Sequence, residues 1–244
     1  MLGKPAQEPR LLEVGCSWGL FLDYARSRGW SVAGVELSEP ASIWAREQLS
    51  LEVTAGNLNS SAYLNSKQFD AAVAWHVIEH VPDPIAFLQS MRSCLRPGGR
   101  IALRTPNIQS LSARLNRPHW EWMGAPAHLT LFSICSLRSA LHQTGFEVEK
   151  IFTRRGDAHN PWFEILRGTA QRLHLHGLAK RVTGVGSVQA SHPGSKNDDR
   201  RRVRMLSGID HGFDVGLSFL RPIEAFCDVH GLGAEIVVTA LRAD

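Results

Sequence analysis

Short apolar runs alternate with amphipathic stretches from Leu11 to Phe152. Leu11, Leu12 and Val14 form a brief run suited to a strand covered on both faces, and Gly15 and Gly19 bracket the turn that follows. Residues 18 to 28 place Phe21, Leu22 and Ala25 on one helical face, with Gly29 as the stop. Trp30 to Glu36 predicts a second strand, and Ser38 is the N-cap of a helix carrying Ile43, Trp44 and Leu49. Leu51 to Ala55 and Phe69 to Trp75 read as the third and fourth strands. Asp83 before Pro84 combines an N-cap with a proline at the first helical position. That helix runs through Ile85, Phe87, Leu88, Met91 and Leu95 to the Pro97-Gly98-Gly99 turn, and Arg100 to Arg104 is a fifth strand. Ser133 caps a helix with Leu137 and Leu141, ended by Gly145, and Phe146 to Phe152 is the next strand.

Alternating strands and helices require an α/β fold with a mainly parallel sheet. The alternation breaks after Phe152, so residues 153–232 read as an insertion into a core made of 1–152 and 233–244. Its first part spaces Trp162, Ile165, Leu166, Leu173 and Leu178 as a helix with Arg167, Arg172, Lys180 and Arg181 between them. Ser187 to Arg204 is polar and reads as a mobile loop, its Arg200, Arg201, Arg202 and Arg204 most simply solvated. Phe213, Val215, Leu217, Phe219, Leu220, Ile223 and Phe226 predict a second helix. Both helices suit a lid packed on the domain; the first, basic and amphipathic, also suits peripheral contact with a membrane surface. Ala234 to Leu241 is the final strand, expected at the far edge of the sheet beside the strand before it.

Composition narrows the classes. The chain of 244 residues carries 27 basic and 23 acidic side chains, a mild balance with no dense basic stripe, so no nucleic-acid partner is expected. Cys16, Cys94, Cys135 and Cys227 form no paired spacing, so neither a zinc framework nor a disulfide scaffold is expected, in keeping with a reducing cytoplasm. The start lacks a basic, long-apolar leader, and no run of about 18 apolar residues is present to span a bilayer.

The turn after the first strand lacks the glycine spacing of a pyrophosphate cradle, since Ser17 and Leu20 stand at the third and sixth positions. Glu13 would repel a pyrophosphate but suits a ligand with a cationic end. These two features disfavour nicotinamide chemistry. Glu36 closes the second strand about twenty residues past the turn, where an acid can accept both hydroxyls of a ribose.

Glu13, Gly15-Cys16, Gly19 and Glu36 together resemble the first two motifs of class I S-adenosylmethionine-dependent methyltransferases. Trp75-His76-Val77-Ile78-Glu79-His80-Val81-Pro82-Asp83-Pro84, the Arg96-Pro97-Gly98-Gly99 turn and His128-Leu129-Thr130-Leu131-Phe132-Ser133 resemble the ubiquinone-type branch that acts on small molecules. The resemblance implies a Rossmann-like three-layer sandwich with a seven-stranded, mostly parallel sheet and an antiparallel last strand. It implies S-adenosylmethionine as cofactor, bound by Glu13, Gly15, Cys16, Ser17, Gly19, Glu36, Leu37, Asn57, Leu58 and His76, with Asn57 at the place of the adenine-pairing residue.

Three departures accompany it. Only about ten residues precede the first strand, where members carry helices that close over the cofactor; the cover is expected either upstream or from the insertion. Ser17 stands where the family has its middle glycine, which requires ordinary backbone angles there. Some relatives hold a divalent metal with acids and a histidine around the fourth-strand loop; His76 occupies a position where an acid is common, and Glu79 with His80 leaves two ligands, so no metal site is predicted.

Residues 106 to 128 mix Asn107, Arg114, Arg117, His119, Trp120, Glu121, Trp122 and His128, which suits stacking on a sugar or an aromatic ring with polar groups on its hydroxyls. The expected acceptor is a small molecule, a glycan or a lipid-linked saccharide, with a quinone-type phenol second. The proton acceptor is drawn from His128 first, then His76 and His119. The opposing reading is a non-catalytic binding protein that keeps the fold, favoured by the short N-terminus and the altered turn.

Overall fold

The computed structural model describes residues 9–155 and 227–243, apart from 62, 64, 67, 121 and 125. The lid helices, the mobile loop and the membrane-surface helix expected between 156 and 226 lie outside the described residues. Among the described residues seven strands form one sheet in the order β3-β2-β1-β4-β5-β7-β6. Strands β1 (Arg10–Val14), β2 (Ser31–Glu36), β3 (Glu52–Ala55), β4 (Phe69–Trp75) and β5 (Leu95–Pro106) run parallel. Strand β7 (Glu235–Arg242) is antiparallel to both of its neighbours, β5 and β6 (Phe146–Arg154).

Local chemistry starts the helices where the pattern predicts. Ser38 accepts from the Ala41 amide at 3.4 Å to open α2 (Glu39–Leu49), and Asp83 accepts from Ala86 at 2.9 Å to open α3 (Pro84–Cys94). Ser133 and Ser136 form a reciprocal capping box at the head of α5 (Ile134–Gln143). Helix α1 (Leu20–Ser27) buries Leu22 and Ala25, while the short α4 (Leu111–Asn116) follows β5. One apolar core joins Phe69, Leu88, Met91, Leu103, Leu137, Leu141 and Phe146 across the sheet.

Three expectations are corrected. The final strand is not at the edge: β7 inserts between β5 and β6, pairing Arg100 with Leu241 on one side and Phe146 with Arg242 on the other. Ile236, Val238 and Ala240 are wholly buried, whereas Glu147, Glu149 and Lys150 of β6 are exposed, so the apolar strand takes the interior and the charged one the edge. Ser17 does not have ordinary backbone angles; its φ is +49°, in the left-handed region that costs a residue with a β-carbon. The fifth strand also begins earlier than expected, Leu95 pairing with Phe69 before a bulge and the Gly98 bend.

Because chain order reverses between β1 and β4, the crevice beyond their carboxyl ends is where such sheets bind ligands. Both the glycine turn and the histidine-rich loop open there. No described helix is long and apolar enough to cross a membrane.

Candidate cofactor and acceptor site

The turn after β1 is organised by one carboxylate. Glu36 accepts from the Ser17 amide at 2.7 Å and from the Ser38 amide at 2.8 Å, which ties the turn to the end of β2 and stabilises the strained Ser17 backbone. Gly15 and Gly19 both have φ of +74°, and a β-carbon on Gly15 would sit 2.5 Å from Val77 Cγ2 in the β4 loop. Gly15→Ala is therefore expected to cost roughly 1–3 kcal/mol, as overpacking does; an unchanged urea midpoint would contradict this contact.

Glu13 is buried, and its Oε2 has no hydrogen-bond partner. Burial first, and the Glu36 charge second, push its pKa up to about 8. Since the folded value lies above the ordinary one, folding favours the protonated acid. The contribution is full below about pH 4.5 and is lost as pH rises toward about 8. Glu13→Gln mimics the neutral acid, so thermal melts should show the variant gaining on the wild type by about 1–3 kcal/mol as pH rises through that window. Parallel pH profiles for the two proteins would refute the assignment.

The remaining cofactor-side residues divide by what the fold leaves available. Cys16 buries its sulfur against Gly34, and burial with the Glu13 and Glu36 charges pushes the thiol up to about 12, so it offers backbone and no thiolate. Leu37 is 75% exposed beside Glu36, an apolar surface for a flat ring. Asn57 uses its side-chain oxygen to cap the 3-10 turn Leu58–Ser60, accepting from the Ser60 amide at 2.9 Å. Leu58 is buried in the core, leaving only its backbone to a ligand.

The second cluster lies on the β4 loop and the segment after β5. His76 has φ of +54°, and its Nδ1 and Nε2 lie 3.0 Å from Glu79 Oε1 and 3.1 Å from Glu235 Oε1. Burial alone would lower its pKa; hydrogen bonding and charge from the two acids outweigh that and raise it to about 9. With both nitrogens donating, His76 is an imidazolium with no lone pair to accept a proton. Glu79 is fully buried and also accepts from the Thr105 hydroxyl at 3.0 Å.

Trp122 stacks on His76 at 5.5 Å between centroids, His128 packs on Trp122 at 5.4 Å, and His80 packs on His128 at 4.8 Å. His80 Nδ1 lies 2.7 Å from the Ala127 carbonyl and His128 Nδ1 lies 2.8 Å from the Trp122 carbonyl. A carbonyl can only accept, so each Nδ1 carries a hydrogen, and in the neutral ring the lone pair is on Nε2. The Leu129 and Thr130 amides bond the Glu79 carbonyl at 2.8 and 3.2 Å, which fixes the segment after β5 to the β4 loop. Among residues 106 to 128, Trp122 and His128 thus join the site. His119 is exposed on the 3-10 turn Arg117–His119 and enters none of these ring contacts, and Trp120 is buried. Asn107 is buried as well, its amide bonding the Gly231 and Gly233 carbonyls at 3.0 and 2.8 Å, a structural clamp on the chain entering β7.

Sequence reasoning missed Glu235. Its signal was a lone acid heading the apolar run that becomes β7, but only the antiparallel pairing of β7 with β5 carries it to His76. Glu235 Oε2 also lies 3.7 Å from Arg104 Nε.

The parallel sheet, the glycine turn and the acid closing β2 define a class I S-adenosylmethionine-dependent methyltransferase architecture. Residues 1–151 match the methyltransferase domain family, and the chain belongs to it. Among curated relatives, the ubiquinone biosynthesis O-methyltransferase of Aeromonas salmonicida is 32% identical over 103 residues, covering 40% of this chain and 43% of that protein. The protein of the same description from Thiobacillus denitrificans is 25% identical over 174 residues, covering 67% of this chain and 74% of its own length. The chain spans about half the length, or somewhat less, of the curated relatives that are 30–32% identical to it. The fold is shared with phosphoethanolamine N-methyltransferase 2 of Haemonchus contortus, solved with S-adenosyl-L-methionine (TM-score 0.57, 16% identity, 99% of this chain and 50% of that one). A methyltransferase from Archaeoglobus fulgidus is similar too (TM-score 0.55, 18% identity, 96% of this chain and 86% of that one).

Proposed function

We propose that the chain transfers the methyl group of S-adenosylmethionine to a hydroxyl oxygen of a small or lipid-linked molecule. The observation that carries the cofactor reading is Glu36, a carboxylate at the end of β2 that is bonded to the glycine turn and stands beside exposed Leu37. The donor set fits the cofactor: Glu36 suits ribose hydroxyls, Leu37 a flat base, and the unpartnered oxygen of buried Glu13 a cationic end. When bound, S-adenosylmethionine supplies a methyl group on a sulfonium whose leaving group is a neutral thioether. No acid is needed on that side, so alignment of the acceptor oxygen supplies much of the acceleration.

The acceptor side is a wall held in place before the acceptor arrives, since hydrogen bonds and ring stacking fasten Trp122 and His128 to the β4 loop. An aromatic face beside polar groups suits a saccharide, and a glycan hydroxyl is the first choice. A quinone-type phenol is the second reading, supported by what the curated relatives are described as methylating for.

Calorimetric titration with S-adenosylmethionine and its demethylated product, followed by transfer of a radiolabelled methyl group to saccharide and phenol panels, tests the proposal. Micromolar cofactor binding with label in one panel is the expected result. A folded chain that binds no cofactor overturns it, and binding without transfer to either panel favours the non-catalytic reading.

A further inference from the structure

The segment after β5 is mounted on the head of β7. At its root the Asn107 N–H donates to the Ala234 carbonyl and the Leu111 N–H to the Leu232 carbonyl, both at 2.9 Å, beside the side-chain clamp from Asn107 to Gly231 and Gly233. That head is locked in place. The Gly233 N–H donates to the Thr153 hydroxyl at 3.2 Å, and a β-carbon on Gly233 would lie 2.8 Å from the Arg154 backbone nitrogen. Glu235, opposite Pro106 in the antiparallel ladder, is therefore delivered to a defined point.

At that point it meets His76. The ring is bonded at both nitrogens, to Glu235 at 3.1 Å and to Glu79 at 3.0 Å, so turning it about its Cβ–Cγ bond would break both contacts. The His76 N–H donates to the Arg104 carbonyl at 2.9 Å, which holds the backbone beneath the ring despite a φ of +54°. Trp122 lies on this ring with the two planes 13° apart, whereas its contact with His128 is tilted by 33°. The indole takes its plane from His76. A group that lines a site stays within about 0.5 Å of its working position only when the side chains behind it are themselves locked.

We infer that Glu235 is a positioning residue for the acceptor wall: by holding the plane of His76 from the head of β7, it sets the plane of Trp122. One strand thus anchors the segment twice, at its root through backbone carbonyls and at its indole through a carboxylate. The inference rests on the reading of Trp122 as part of the wall that an acceptor meets. Glu235 touches neither cofactor nor acceptor on this account and acts only through the two rings.

The test uses the full chain labelled with 5-fluorotryptophan and read by 19F NMR. The chain has seven tryptophans, and Trp122→Phe identifies the line of Trp122. Glu235→Asp keeps the charge but falls one methylene short of His76, so it should shift or broaden that line. Glu235→Gln keeps both the reach and an acceptor oxygen, and should leave the line near its wild-type position. His76→Asn removes the ring and should move the line at least as far as Glu235→Asp. Trp18 and Trp44, which pack on each other at 5.6 Å beside the cofactor turn and are identified in the same way, should keep their lines. Misplacing a site group by about 1 Å costs up to about 100-fold in rate, so methyl transfer in the saccharide and phenol panels should fall in Glu235→Asp while S-adenosylmethionine affinity is kept.

Circular dichroism checks folding, and His76→Asn carries the test if Glu235→Asp does not fold. A Trp122 line unmoved in both folded variants overturns the inference, as does a shift shared equally by Trp18 and Trp44, which would mark a role in stability alone. A responsive Trp122 line in a chain that binds no cofactor would sink methyl transfer and leave the positioning of Trp122 standing; a silent line in a chain that binds it would do the reverse.

Discussion

Glu36→Ala is expected to weaken S-adenosylmethionine binding by roughly 100-fold, which is about 2.7 kcal/mol. The carboxylate accepts two backbone N–H groups, from Ser17 and from Ser38, and hydrogen bonds to a charged acceptor contribute about 1.5–3 kcal/mol each. Its removal acts twice. On the proposed reading the ribose loses its acceptor, and Ser17 loses the bond that offsets its left-handed backbone. Glu36→Gln separates the two effects, because an amide keeps one acceptor oxygen but loses the charge; it should fall between wild type and alanine. Calorimetry decides the matter. Equal dissociation constants for wild type and Glu36→Ala would show that the cofactor does not use the end of β2.

The largest expected loss of stability belongs to Glu235→Ala, at about 3–5 kcal/mol, the usual cost of removing one partner from a buried ion pair. Glu235 is 1% exposed and its Oε1 faces His76 Nε2 at 3.1 Å, so alanine strands an imidazolium N–H in a site that water reaches poorly. Glu235→Gln keeps an acceptor and should cost clearly less. Urea unfolding measures both, and a double-mutant cycle with His76→Asn isolates the pair, asparagine being suited to the left-handed backbone at that position. Additive losses would mean that Glu235 stabilises the strand junction by some route other than His76.

What was legible in the sequence was local. Ser38, Asp83 and Ser133 cap helices because an N-cap acts within three residues of itself. The turn around Gly15 and Gly19, and the acid at Glu36, follow from the same short range: a strand, a turn, a helix and a strand set their spacing. The histidine loop was legible as a stretch but not as a site. Asn107, Trp120 and Trp122 look alike as polar or aromatic residues on one loop, yet one clamps Gly231 and Gly233, one is buried and one stacks on His76. Periodicity does not distinguish these fates, since residues in an irregular segment have no repeating face.

By itself, then, the amino-acid sequence determined the strand and helix alternation, the helix starts and the positions of the glycine turn and of the acid closing β2, because neighbours in the chain set backbone angles and capping. The tertiary structure alone decided where β7 lies, that Glu235 closes on His76, and that His128 meets His80 and Glu79. Those contacts join residues far apart in the chain. They depend on which strand is apolar enough for the interior of the sheet and on the antiparallel register that delivers the head of that strand to the end of β4.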